Sequence, residues 1–523
     1  MGTSSVGSLR LVHGDVVKPH AEYVSLSHCW GDFDPPKLEI KTLQSFQVSI
    51  DPAALPSTFA DAVDITRQLG IRYLWIDSLC IVQDDEHDWQ RESAKMSQIY
   101  ECAWLNIGAS KALTATGGCY STRCVEDVNP VILASSQFDV QHDMSLNDLA
   151  FWEKDFEGSL LMHRAWILQE QYLSSRTIHF ARNQIFWRCH ELQACETSPD
   201  GIPDRARRET DAYRVFSASE NDLTASQMQT KLMNAWFSKR YLTILWSHGE
   251  NIPLNHESAR QLFEAWEAMR KQKVTWGNIV NKYTSAALTF PEKDKLVAVS
   301  GLAKRCGHQR DYLAGLWRPM LPWELLWNVA YYDEKENKLE APPTWSWASS
   351  QSPVRLHRSN YLSAYMGCEL PVVKIIAAET SLVGPDAFGQ VTGGTIRLSS
   401  VILKSHESSI PKYLYPDYAC SFTDASIFWL AILRTDNNPH DPRNPPPGIE
   451  GIWIEPTGRV IGEYRRRGTF NLPADASHLW SSELESYTAD QLLLEECEKY
   501  DGLKVIEGSE IKKKYHFYTI SLV

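Results

Sequence analysis

The sequence predicts an α/β fold, with a doubly wound, mainly parallel sheet in the N-terminal half followed by a helical region and a β-rich C-terminal module. Three short apolar segments, Tyr23–Ser27, Ile71–Ile76 and Trp104–Ala109, have the length and composition of buried strands. Stretches with apolar residues at helical spacing separate them, at 59–69 and 88–102. The resulting β-α-β-α-β order is typical of an open parallel sheet.

The remaining chain divides by composition and pattern. Arg164–Leu173 has a helical pattern, and the two apolar segments after it flank Arg182-Asn183 and predict a hairpin. A polar stretch with Pro199 and Pro203 then interrupts the pattern. The predicted domains are 1–195 (the α/β domain), 196–222 (a linker or surface loop), 223–350 (a helical region) and 351–523 (a β-rich module).

Bulk properties narrow the classes of partner and location. A net charge of −13 over 523 residues repels phosphate backbones, so we expect no nucleic-acid partner. The eleven cysteines include no Cys-x-x-Cys pair and follow no secretory signal, so we expect reduced thiols in a cytoplasmic protein without a metal site. No apolar run reaches the roughly 20 residues of a membrane span. No cofactor is identified from these properties.

The topology predicts where a ligand binds. If the crossover between the first two strands is parallel, both carboxyl ends lie at one edge of the sheet, where open α/β sheets bind ligands. Two polar clusters would meet there, one from Ser27 to Gly31 and one from Asp77 to Asp84. From these clusters and their strands we predict Asp77 as catalytic and the following residues as ligand-binding: Cys29, Trp30, Gly31, Trp75, Ser78, Cys80, Gln83 and Asp84.

Glu92 is the second predicted catalytic residue. It lies on the predicted helix 88–102, within an apolar stripe between Trp89 and Met96. A carboxylate in that position must be hydrogen-bonded or have a raised pKa, and either condition suits acid–base or cation-stabilising chemistry. The alternative is a partly exposed glutamate that forms an ion pair with Lys95 at i+3.

Two further groups have both a functional and a structural interpretation. Cys29 and Cys80 could act as thiol nucleophiles with His28, although free cysteines are more often small buried apolar residues. The predicted helix at 164–173 adds a cation, an amide and a carboxylate, which we include among the ligand-binding residues. They are Arg164, Gln169 and Glu170, and their alternative role is in structural ion pairs.

Several of these segments resemble the HET (heterokaryon incompatibility) family of filamentous fungi. The likeness is strong over residues 20–190, and His28 departs from the tyrosine that the family often has. The segments that carry it are Tyr23–Gly31, Leu55–Ala62, Gly70–Asp85, Asp88–Glu92 with Met96 and Ile99-Tyr100, Arg164–Glu170 and Leu173–Arg176.

The resemblance implies a role in cell death and allorecognition when incompatible hyphae fuse. It also implies a TIR/flavodoxin-like fold, because the HET domain has been likened to TIR domains. Some TIR enzymes cleave NAD with a single glutamate that follows a tryptophan, and Trp89 and Glu92 are similarly arranged. NAD is then the candidate substrate and Glu92 the charge-stabilising group or base. Asp77, Ser78 and Gln83 would position the ligand, and Trp30 or Trp75 would stack on a ring.

Two other functions fit the same residues. The chain could be a non-catalytic interaction module that self-associates or binds a partner protein, with Asp77, Glu92 and Arg164 serving only the fold. It could also be a small-molecule, secondary-metabolite biosynthetic enzyme that reuses the HET scaffold, because its 19 tryptophans could line an apolar pocket.

Overall fold

The computed structural model describes part of the chain, which forms two compact units. The first unit comprises Met1–Ala218 with Ala286–Leu288 and Val297–Leu302, and the second comprises the remainder. The predicted linker beyond residue 202 and the predicted helical region up to 274 lie outside the described residues. The described residues are 2–3, 9–31, 36–123, 131–133, 144–146, 152–202, 275–331, 339–356, 369–371, 373–404, 414–417, 428–435, 448–473, 499–507 and 512–523.

The first unit is built on an eight-stranded sheet. Its strands are β1 (Gly2–Thr3), β2 (Leu9–Arg10), β3 (Tyr23–Ser27), β4 (Tyr73–Ile76), β5 (Leu105–Gly108), β8 (Arg176–Phe180), β9 (Ile185–Cys189) and β10 (Gln193–Cys195); β6 (Val131–Leu133) and β7 (Met144–Leu146) pair separately. The spatial order is β10-β9-β8-β5-β3-β4-β1-β2. The four central strands are parallel and the outer strands are antiparallel. The three predicted strands and the predicted hairpin are confirmed.

Helices connect these strands and correct one prediction. The helices up to β8 are α1 (Ile40–Val48), α2 (Ser57–Gln68), α3 (Asp77–Cys80), α4 (Glu86–Ser93), α5 (Met96–Cys102) and α6 (Ala165–Leu173). The predicted continuous helix 88–102 is wrong, because α4 ends at Ser93 and α5 begins at Met96. The backbone tightens at the junction, where Lys95 N donates to Glu92 O at 3.0 Å. Glu92 and Met96 are therefore on different helices.

One face of the parallel strands is apolar and packs against α2. Val24 and Leu26 of β3 are fully buried in one hydrophobic cluster with Phe59 and Val63 of α2. Successive side chains of a strand point to opposite faces, so Ser25, which lies between Val24 and Leu26, belongs to the other face. Removal of these apolar side chains from water stabilises the strands, as the apolar composition of their segments predicts.

The opposite face of the same strands is polar although it is buried. Ser25 of β3 lies opposite Asn106 of β5, which lies opposite Thr177 of β8, and all three are buried. Ser25 Oγ donates to Asn106 Oδ1 at 3.0 Å, and Asn106 Nδ2 donates to Ser27 Oγ at 3.0 Å. Buried polar groups need such partners, so this face forms a hydrogen-bonded row that ends at Ser27, the carboxyl end of β3.

The second unit is rich in β-structure, as the sequence predicts. Its largest sheet has nine strands, in a central order β15-β19-β20-β21-β23-β17-β16 with β18 on β21 and β22 on β23. The strands are β11 (Tyr312–Leu313), β12 (Leu316–Trp317), β13 (Asn328–Val329), β14 (Val354–Arg355), β15 (Glu369–Pro371), β16 (Lys374–Leu382), β17 (Val391–Lys404), β18 (Leu414–Pro416), β19 (Phe428–Thr435), β20 (Gly448–Pro456), β21 (Glu463–Pro473), β22 (Lys499–Glu507) and β23 (Lys512–Leu522).

Further helices and buried tryptophans lie between residues 275 and 347. The helices are α7 (275–284), α8 (Pro291–Asp294), α9 (Val297–Cys306) and α10 (Leu321–Glu324). In the second unit Trp276 Nε1 and Trp347 Nε1 both donate to Gly315 O, at 2.9 and 2.8 Å. These tryptophans are fully buried, so they serve the core. Among the described residues, none of the helices is long and apolar enough to cross a membrane.

Candidate functional site

The two polar clusters meet at the carboxyl ends of β3 and β4, as the topology predicts. Asp77 follows β4 and receives a hydrogen bond from Trp30 Nε1 to its Oδ2 at 2.9 Å. Its Oδ1 lies 3.7 Å from His28 Nδ1 and accepts from Ser78 N at 2.7 Å. The Asp77 side chain is 21% exposed, so a half-buried carboxylate joins both clusters at this edge.

His28 is an uncharged imidazole in this arrangement. It is 2% exposed, and this burial lowers its pKa to about 4, although Asp77 acts in the opposite direction. Its ring lies nearly parallel to that of Trp30, with centroids 6.4 Å apart. His28 Nε2 is buried without a hydrogen-bond partner among the described residues. A neutral imidazole can donate or accept a proton at that atom, depending on its tautomer.

Glu170 of α6 brings a second carboxyl group to the same edge. It is buried and accepts hydrogen bonds from the hydroxyl groups of Ser27 and Tyr100. Burial raises its pKa to about 7, while the Ser27 hydrogen bond and the charge of Arg164 oppose that rise. Both protonation states are then populated near neutral pH, a property that suits a general acid or base.

Arg164 supplies positive charge beside Glu170. It occupies the N-cap position of α6, is half-buried and donates to the carbonyl of His28. The neighbouring Cys29 is buried, and burial raises the pKa of its thiol, which disfavours the thiolate that a nucleophile needs. We call the group of Ser27, His28, Trp30, Asp77, Arg164 and Glu170 the carboxyl-edge centre.

Several other residues of the predicted site serve the backbone nearby. Gln83 Nε2 donates to Asp77 O at 3.2 Å, and Asp84 Oδ1 accepts from Ile40 N at 2.8 Å at the start of α1. Gln169 Oε1 accepts from Gly301 N at 2.9 Å. Gly31 has φ +65, a conformation that favours glycine, and a Cβ there would lie 2.4 Å from Thr114 Cγ2. These contacts shape the surroundings of the carboxyl-edge centre.

Three residues of the predicted site line a different cavity. Trp75, Cys80 and Glu92 line a cleft of about 880 Å³ that also takes in Tyr23 and Tyr73, where β3 and β4 begin. The Glu92 carboxylate accepts from Lys95 Nζ at 2.9 Å and from Arg91 Nε at 3.1 Å. The i, i+3 ion pair with Lys95, the alternative interpretation of Glu92, is therefore present.

Some residues of the centre were missing from the prediction although the sequence contains a signal for them. Ser25 and Ser27 alternate with Val24 and Leu26 along β3, a period of two that marks a polar face. The contact of Ser27 with Glu170 joins residues 143 positions apart, which no local pattern predicts. Among the described residues, no group of three or more His, Cys, Asp or Glu side chains could hold a metal ion.

Comparison with known proteins identified a family match within the first unit. Residues 23–170 match the family model described as "Heterokaryon incompatibility protein (HET)". No curated protein and no solved structure matched the chain. The matched segment begins at β3 and ends at Glu170, so it contains every residue of the carboxyl-edge centre.

Proposed function

We propose that this chain, whose residues 23–170 match the family model of the heterokaryon incompatibility (HET) proteins, acts by cleaving the N-glycosidic bond of a nucleotide such as NAD at the carboxyl-edge centre. The observation that carries the proposal is the pairing of two carboxyl groups at one edge of the sheet. Glu170 is buried, and this burial, together with the charge of the half-buried Asp77, raises its pKa to about 7. Depletion of the nucleotide would serve the cell-death role that the family implies.

The strand order supports the TIR/flavodoxin-like fold that accompanies this proposal. When β3, β4, β5 and β8 are numbered one to four along the chain, their spatial order is 2-1-3-4. Flavodoxin-like sheets begin with this order and bind their ligand at the carboxyl ends of the first and third strands, where the order reverses. The equivalent position here lies between β3 and β5, and Ser27 is the last residue of β3.

The chemistry needs one charge-stabilising group and one base. Cleavage of NAD breaks the bond between ribose C1′ and the pyridinium nitrogen, and nicotinamide leaves with the bonding electron pair. The positive charge that develops on the ribose would be stabilised by the Asp77 carboxylate. Water would then attack C1′ and pass its proton to Glu170, whose pKa lies near the working pH.

Trp30 and Arg164 would hold the substrate. Trp30 is half-buried and its ring is oriented by the hydrogen bond to Asp77. An indole fixed in this way offers a flat surface to a nicotinamide or adenine ring. The half-buried Arg164 guanidinium is suited to a phosphate group.

A second candidate function is a non-catalytic interaction module. It is favoured by the number of predicted site residues whose polar groups bond within the protein. Gln83, Asp84 and Gln169 each hydrogen-bond to backbone, and these bonds need no ligand to explain them. In that case Asp77 would matter for stability rather than for turnover.

We expect Asp77→Asn to lose NAD cleavage by roughly a hundredfold while keeping its melting temperature within about 3 °C, because the amide retains the acceptor for Trp30 but loses the charge. The assay measures released nicotinamide and ADP-ribose from the full chain by chromatography. Asp64→Asn, an exposed change on α2, is the matched control and should behave as the wild type. Wild-type turnover by Asp77→Asn would contradict the proposal. A lower melting temperature with no turnover by the wild type would favour the interaction module.

A further inference from the structure

The cleft at the amino ends of the strands is distinct from the carboxyl-edge centre, and we propose that it binds an anionic, planar aromatic small molecule. Its volume of about 880 Å³ is within the range of ligand sites. It opens where β3 and β4 begin, at Tyr23 and Tyr73, whereas the centre lies where those strands end. A ligand here would therefore occupy a site separate from the substrate.

Aromatic rings supply the flat surfaces of the cleft. Trp75 is half-buried and its ring packs edge-to-face on Tyr100, with centroids 5.5 Å apart. Trp104 is 37% exposed, and the Arg176 guanidinium lies 5.8 Å from the centre of its ring. Both indoles are held by these neighbours, so a planar ligand would meet surfaces that are already in place.

A strained turn forms one wall of the cleft. Ala21 N donates to Lys18 O at 3.1 Å, which closes a four-residue turn with Pro19 in its second position. His20 in the third position has φ +64, the pattern of a type II turn, in which glycine is the usual residue. A histidine in this conformation has a conformational cost, and such strain is concentrated at functional sites. The turn places two basic side chains, Lys18 and His20, along the cleft.

Lys18 and His20 supply the positive charge that an anionic group would meet in the cleft. Lys18 and His20 are exposed, and neither forms an ion pair or side-chain hydrogen bond with another described residue. The acidic Glu92 is compensated by its two cationic partners. Glu22 and Glu101 also line the wall, so a cationic aromatic molecule is the competing occupant.

The test uses anilinonaphthalene sulfonate, an anionic aromatic probe, with the full chain. Fluorescence titration gives its affinity, and hydrogen exchange locates it. We expect protection of 11–22 and 101–104, and a loss of affinity of roughly fivefold in both Lys18→Ala and His20→Gly. Because glycine relieves the turn, His20→Gly should melt at the same temperature as the wild type or higher.

Lys41→Ala, which removes an exposed lysine on α1, is the control and should bind the probe as the wild type does. Equal affinities in all variants, or protection confined to other segments, would overturn the proposal. Tighter binding of the cationic dye proflavine at the same segments would overturn the assignment of an anion. None of these outcomes depends on turnover at the carboxyl-edge centre.

Discussion

Glu170→Gln is expected to make the protein more stable than the wild type at about pH 8 and equally stable near pH 4.5. Burial raises the pKa of Glu170 from 4.5 to about 7, so the folded protein binds its proton more tightly than the unfolded chain does. The associated stability is fully present below pH 4.5 and is lost as the pH rises through about 7. Glutamine resembles the protonated carboxyl and does not suffer this loss.

The free energy of unfolding of Glu170→Gln should exceed that of the wild type by on the order of 3 kcal/mol more at pH 8 than at pH 4.5. Urea unfolding of both proteins at a series of pH values measures this difference. The other buried group of the centre has the opposite dependence. The pKa of His28 is lowered to about 4, so its contribution to stability falls as the pH drops below 6.5. His28 is present in both proteins and largely cancels in the difference. A difference that does not vary with pH would contradict the burial of an ionisable Glu170.

Gly301→Ala is expected to destabilise the protein by about 2 kcal/mol, although alanine normally stabilises a helix relative to glycine. Gly301 lies in α9, where a Cβ would fall 2.4 Å from Ser97 Cβ of α5 and 2.5 Å from Gln169 Oε1 of α6. Its backbone N–H also donates to Gln169, the neighbour of Glu170. A methyl group would therefore separate the helices that hold the carboxyl-edge centre.

The measurement is the free energy of unfolding from urea titration, with Gly14→Ala as the control. Gly14 has no atom within 4 Å of the position of a Cβ, so its substitution should change stability by less than about 0.5 kcal/mol. If Gly301→Ala is as stable as Gly14→Ala, the close approach of α9 is not part of the folded domain. The expected result would show that residues 297–302, which belong to the first unit, contribute to the stability of the fold that contains residues 23–170.

Much of the fold could be predicted because local patterns determine it. Tyr23–Ser27 and the strand ending at Ile76 are short and apolar, and the amphipathic pattern at 59–69 lies between them, so a parallel crossover follows from connection rules. That crossover also explains why Trp30 and Asp77 meet. The antiparallel strands β1 and β2 were not predicted, because their two-residue length leaves no periodic signal.

The assignment of the key glutamate could not be made from the sequence. The sequence places Glu92 in an apolar stripe on a continuous helix, but the helix is interrupted at Ala94 and the half-buried carboxylate forms ion pairs with Arg91 and Lys95. Glu170 becomes important only through burial and its contact with Ser27, both of which depend on tertiary structure. The Gly301 contact likewise joins segments 132 residues apart.

The rate of NAD cleavage by Glu170→Gln and Glu92→Gln in the full chain tests the central claim most directly. Loss of a general base should lower the rate of Glu170→Gln by roughly a hundredfold or more, whereas Glu92→Gln removes only the partner of two ion pairs outside the carboxyl-edge centre and should keep the wild-type rate. Both changes are isosteric, so each serves as the control for the other. Wild-type turnover by Glu170→Gln together with an inactive Glu92→Gln would contradict this account and place the chemistry in the cleft at the amino ends of the strands.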